Sequence, residues 1–284
     1  PHYHWRRAMD QLQPEKPVVA RYLVVNTCYK CYTVTAKITQ CEDNMGKVIL
    51  VVSGKGGTGK TVFAANAGAV LAQRGFEVLL IDMDLGLRDL DLCLGLENKI
   101  VYDVRDVCTG MCRISQAIIK DKDFPNLYFM AASPSREEGE ITPLHMQVLC
   151  RKLRKQFDYI IIDGPAGIDD GLIIAAAGAD SAVIVTTPDY GAIRDADHID
   201  RFLADLGIRE RYCVVNKVIA SLMNAGLLPG IQEISRILRT KIVGVIQYDE
   251  NIAISSNFGL PIVYNKGTYI YENFNNIVDR IIGQ

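Results

Sequence analysis

The sequence lacks any apolar run approaching the roughly 20 residues that a membrane-spanning helix needs. It also lacks a charge of one sign. Its 31 basic and 33 acidic residues leave a formal net charge of -2, so nothing overall favours binding to nucleic acid. There is no internal repeat and no low-complexity tract. The eight cysteines in 284 residues are too sparse for a disulfide scaffold. Several fall in helix- or strand-like runs, where they are expected as reduced core residues. Cys28, Cys31 and Cys41 have a metal-like spacing, but no fourth ligand accompanies them and no zinc site is expected. The first 13 residues are polar, aromatic and basic, without the apolar stretch and cleavage site of a secretory signal.

What is present is 49% hydrophobic residues in a length that suits one large α/β core. The stretch Gly54-Lys55-Gly56-Gly57-Thr58-Gly59-Lys60-Thr61 follows the apolar run Lys47–Ser53 and precedes the helix-like run Val62–Arg74. Every position of the G-x-x-x-x-G-K-[ST] pattern is met, in the strand–loop–helix setting that a phosphate-binding P-loop needs. The glycines let several backbone N–H groups turn toward one phosphate chain. The start of the following helix adds partial positive charge. Lys60 has the reach for terminal phosphates, and the Thr61 hydroxyl suits Mg²⁺.

Strand-like runs recur at Lys47–Val52, Glu77–Asp82, Asn126–Ala131, Tyr159–Asp163, Ala182–Thr186, Tyr212–Val215 and Ile242–Val245. Several are almost continuously apolar, as strands covered on both faces of a parallel sheet must be. Helical patterns lie between them, at Leu144–Phe157, Ile193–Leu206 and Gly230–Leu238. The alternation predicts a Rossmann-like, doubly wound, mostly parallel α/β sheet of the P-loop NTPase class, with ligands outside the carboxyl ends of the strands. Two of those ends carry acids: Asp82 with Asp84, and Asp163. Carboxylates there face the phosphates and can hold Mg²⁺ directly or through water.

Residues 1–44 read differently, with two prolines, a β-branched run and three cysteines. Met45 is expected as the natural start of a 45–284 ATPase domain, with the preceding segment an upstream extension or an artefact. The alternative is a short strand-bearing appendage without catalytic residues.

The second lysine of the loop, Lys55, is not required by the general motif. Lys55-Gly-Gly-Thr-Gly-Lys-Thr61 resembles the deviant P-loop of the ParA/MinD family of ATPases. The run Asp82-Met-Asp-Leu-Gly-Leu-Arg-Asp-Leu-Asp-Leu92 is similar to the first switch segment of the MinD branch. So are Val101–Val104, Ile118–Lys122, Asp163–Ile168 and Leu238–Ile246, and the likeness covers about residues 45 to 282. The resemblance implies Mg²⁺-dependent hydrolysis of ATP to ADP by an ATP-dependent homodimer. It implies regulatory partners of the MinC/MinE type, division-site placement, and a location in the cytoplasm or on the inner face of the cell membrane. It makes residues 54–62 (Gly54 through Val62) and Asn216 nucleotide-binding, with Asn216 reading the adenine edge. It makes Thr61, Asp84 and Asp163 metal-holding. Lys60 would bind phosphate, Asp84 would position the attacking water with Asp82 in support, and Lys55 would act across the dimer. The alternative is a relative that positions another cargo, in flagellar number control or DNA partition. A metal-cluster carrier of the related scaffold family would want paired cysteines near the C-terminal part, where only Cys213 lies beyond Cys150.

Three departures from the family pattern stand out. Val62 replaces a frequent second Thr, and Asp189 replaces a common Glu. The last pattern, Tyr269–Ile282, has one apolar face and a single cation, Arg280. A membrane-surface helix should be rich in Lys and Arg. This one is therefore expected to pack on the core, with any basic membrane tail absent by nature or by truncation.

Overall fold

Continuously apolar strands need cover on both faces, and the chain supplies it by winding helices around one sheet. The structure, a computed structural model, describes residues 45–85, 88–134 and 141–284. Cys28, Cys31, Cys41, the N-terminal segment, and the switch residues Gly86 and Leu87 lie outside the described residues.

The strands are β1 (Lys47–Ser53), β2 (Val78–Asp82), β3 (Ile119–Lys120), β4 (Leu127–Met130), β5 (Tyr159–Ala166), β6 (Ser181–Thr186), β7 (Glu210–Val218) and β8 (Lys241–Gln247). Their order across the sheet is β3-β4-β2-β5-β1-β6-β7-β8. All neighbours run parallel except β3, which pairs antiparallel with β4 at the edge. The doubly wound, mostly parallel architecture is therefore as expected. β1 lies between β5 and β6, so the chain leaves it first toward one edge and later toward the other. A ligand crevice forms at such a reversal.

Some boundaries differ from the sequence pattern. β5 continues past Asp163 to Ala166, and β7 spans Glu210–Val218. Neighbouring strands supply partners for those extra residues (Ser53 for Ala166, Gln247 for Val218), which periodicity does not reveal. The expected helix to Phe157 stops at Leu153. Beyond it, Arg154 turns to Gly46 O, Gly178 O and the Asp180 carboxylate. The two-residue β3 carries too little pattern to be read from sequence.

The P-loop helix, Lys60–Gln73, is buried nearly all round. It lies on the sheet and is covered in turn by the C-terminal helix, Tyr269–Ile282. Phe63 stacks on Phe274 with ring centroids 6.0 Å apart and planes at 27°. Arg74 reaches Asn275 and Asp279, and Gln73 and Asn66 bond the backbone of Val263. Ile277 sits directly on Gly244 of β8, where a Cβ would come within 2.2 Å of it. Arg280 donates to Val243 O. The last helix is thus a core element that braces the P-loop helix from behind.

Replacing Phe274 by Ala should cost about 3–5 kcal/mol in urea or thermal denaturation, since the ring is fully buried. A loss under about 1 kcal/mol would mean that the helix is peripheral to the core.

Candidate functional site

The P-loop begins where β1 ends. Ser53 Oγ donates to Lys55 O at 2.9 Å, tightening the turn. Gly57 and Gly59 have φ of 80° and 91°, a region that favours glycine. Gly54 packs so close to Asp195 that a Cβ would lie 2.4 Å from the Asp195 Cβ. Phe63 N donates to Gly59 O and starts the helix. No side chain caps that helix and its first turn holds no acid. Its first amides therefore stay available to an anion.

The strand register places the carboxylates. Asp82 and Asp163 are direct neighbours on β2 and β5. Asp82 Oδ1 accepts from Asp84 N and Oδ2 from Leu90 N, so Asp82 shapes the loop that carries Asp84. Lys60, itself buried, reaches Asp84 Oδ2 at 3.0 Å and Asp163 Oδ1 at 3.6 Å. The structure thus assembles Lys60 from the start of the P-loop helix, Asp82 from the end of β2, Asp84 from the loop after it and Asp163 from β5.

Burial pushes the Asp82 carboxyl up to about 7, with the Asp163 charge adding to the rise. Burial likewise pushes Asp163 up to about 6, against the pull of Lys60. Burial alone would lower Lys60, but Asp163 and Asp84 overcome it and hold the ammonium above its ordinary value.

These residues fit Mg²⁺ and a nucleotide. Asp163 is 1% exposed and faces the Lys60 ammonium and the Thr61 hydroxyl, with Thr61 next to Lys60 at the helix start. Among the described residues no group of three His, Cys, Asp or Glu side chains forms a metal site by itself. That suits Mg²⁺, which takes one or two carboxylates and completes its shell with phosphate oxygens and water.

Two predicted residues have partners that sequence does not show. Lys55 Nζ pairs with Asp189 Oδ1 of its own chain at 2.9 Å, both side chains being about 44% exposed. Asp189 also accepts from Thr187 Oγ1 and caps the helix Tyr190–Asp205 through Ala192 N. Burial opposes its ionisation, but the Thr187, Ala192 and Lys55 donors outweigh this and hold its carboxyl below the ordinary value. Asn216 Nδ2 donates to Thr58 O at 2.8 Å, and its Oδ1 accepts from Lys217 N. One amide hydrogen and one lone pair stay available for an adenine edge. Asp195 and Lys217, both at the P-loop, carry no motif of their own. The only signal for Lys217 was its place beside Asn216 at a strand end. Val62 offers its carbonyl to Asn66 and no hydroxyl to a phosphate.

Residues 49–262 match the family model described as the CobQ/CobB/MinD/ParA nucleotide binding domain. The septum site-determining protein MinD of Bacillus subtilis is 41% identical over 242 residues, covering 84% of this chain and 90% of that protein. The MinC:MinD cell division protein complex of Aquifex aeolicus contains a chain 35% identical, with a TM-score of 0.78, over 84% of this chain and 97% of that one. The MinD of Pyrococcus horikoshii complexed with Mg-ADP is 26% identical, with a TM-score of 0.75, over 84% and 96%. With every position of the deviant P-loop present and its carboxylates assembled, the chain belongs to the MinD branch of the MinD/ParA family of P-loop ATPases.

Proposed function

We propose that this chain is an ATP-operated dimerisation switch in division-site placement, with Mg²⁺-dependent ATP hydrolysis as the step that resets it. The observation that carries the reading is the convergence of Lys60, Asp84 and Asp163 at the mouth of an uncapped P-loop helix. The loop amides and Lys60 bind the phosphates, and the remaining contact capacity of Asn216 serves the adenine edge. Thr61, Asp84 and Asp163 would hold Mg²⁺, which would supply neutralisation of charge on the phosphate oxygens. Asp84 orients the attacking water, with Asp82 keeping its loop in place. Such catalysis is chiefly positioning and electrostatic stabilisation.

Lys55 is the residue that makes the switch. In the single chain it is spent on Asp189. Released to a partner subunit, it would supply positive charge in trans, the logic of a finger residue. The monomer then binds ATP but hydrolyses it slowly. A protein of the MinC type is the supported class of partner, because the Aquifex aeolicus relative is found in a MinC:MinD complex. A regulator of the MinE type is a further proposal from the same resemblance. No helix among the described residues is long and apolar enough to cross a membrane.

Lys60→Ala should abolish ADP and ATP binding in calorimetry; unchanged affinity would remove the P-loop assignment. Lys55→Ala should keep ATP affinity while turnover falls about 10³-fold or more. Normal phosphate release in that variant would count against a site shared between subunits.

The raised carboxyls set a pH dependence. Asp82 and Asp163 ionise at about 7 and about 6 rather than near 3.8. Their neutral forms favour the nucleotide-free fold, so they stabilise it at low pH. That contribution is lost as pH rises through 6 to 7. Metal binding at Asp163 needs its charged form, so the Mg²⁺-dependent gain in ADP affinity should shrink as pH falls through about 6. A gain that stays flat from about pH 8 to about pH 5.5 would argue that the Asp163 carboxyl is not so shifted.

A further inference from the structure

The end of β7 grips the phosphate loop from behind. Lys217 Nζ donates to Gly57 O at 2.7 Å, next to the bond from Asn216 Nδ2 to Thr58 O at 2.8 Å. In a trans peptide the C=O and the N–H of the following residue point in opposite directions, and the described residues contain no cis bond. Holding the Gly57 carbonyl outward therefore turns Thr58 N–H inward. Holding the Thr58 carbonyl does the same for Gly59 N–H. An anion-binding nest consists of such successive N–H groups turned to one point. The positive φ of Gly57 and Gly59 permits that shape but does not hold it.

Lys217 itself adopts φ of 57°. A lysine occupies that region only at a cost, and such strain persists where the surrounding structure imposes it. Asn216 Oδ1 accepts from Lys217 N at 2.9 Å, so the preceding side chain holds the strained turn. The result is that an exposed, long cationic side chain near the end of β7 reaches the loop.

We propose that Lys217 is a positioning residue for phosphate binding. Its ammonium fixes the Gly57–Thr58 peptide with the N–H turned into the nest. Its charge also polarises that peptide, so that the N–H donates more strongly to a phosphate oxygen. The inference rests on the P-loop reading and adds to it a residue outside the motif.

The test is Mg-ADP binding to the full chain by calorimetry, since ADP binding does not require a second subunit. Lys217→Met should weaken ADP about three- to tenfold, as expected for one hydrogen bond. Lys217→Arg, which keeps a cationic donor on a long stem, should restore most of the affinity. Lys217→Gly removes the strain together with the ammonium. It should leave the unfolding midpoint unchanged or higher while still weakening ADP. A residue that only stabilised the fold would move both quantities in the same direction. Should Lys217→Met fail to fold, the Arg and Gly variants carry the test. Unaltered ADP affinity in Lys217→Met and Lys217→Gly, or a loss that Arg does not restore, overturns the proposal. Absence of ADP binding by the unaltered chain is a separate failure, which removes the P-loop reading itself.

Discussion

The interaction on which the site depends is a buried cation among buried carboxylates. Lys60 sits with Asp84 and Asp163, and Asp82 adjoins Asp163 on the next strand. Burying any one of these charges alone would be prohibitive, and the group is tolerable because each member offsets another. The offset is incomplete, as the raised carboxyls of Asp82 and Asp163 record. A site with an excess of carboxylate and a helix start that no side chain caps suits a divalent cation and a phosphate chain together. Either ligand alone would leave charge of one sign unbalanced.

The fold exists to hold that group in place. Parallel strands buried on both faces put their carboxyl ends on one edge, and the winding reverses at β1, which opens the crevice there. The P-loop helix cannot shift without disturbing the Phe63–Phe274 stack and the Arg74 bonds to the last helix. The C-terminal helix, although far along the chain, is therefore part of the phosphate site's support. Asn216 and Lys217 give a second support from the other side of the loop.

The Lys55–Asp189 pair is a different kind of contact. Both partners are about 44% exposed, and exposed pairs contribute little to stability. Its importance is that it is cheap to break. Under the proposed role in trans, Lys55 would be held out of the way in the single chain and released without a large cost. The short Asp189 side chain serves here as helix cap and lysine acceptor at once.

Most of the architecture was legible from pattern. The apolar runs gave seven of the strands within a few residues, because a strand covered on both faces leaves an unbroken signal. The loop motif placed Lys60, Thr61 and the glycines, because phosphate binding constrains residue type at fixed spacing. The acids were legible only as candidates, since an Asp at a strand end is more often a cap or turn residue. Pairing brings two of them together: the β2–β5 register sets Asp82 beside Asp163. By itself, the sequence determined the fold class and the nucleotide loop, which rest on local periodicity and spacing, and the family, which rests on the resemblance of whole segments to known relatives. The tertiary structure alone decided that Lys55 pairs in cis with Asp189, that the last helix braces the P-loop helix, and that Lys217 grips the loop. Each of these joins residues more than 130 positions apart, and no local pattern records which distant chain will lie beside it.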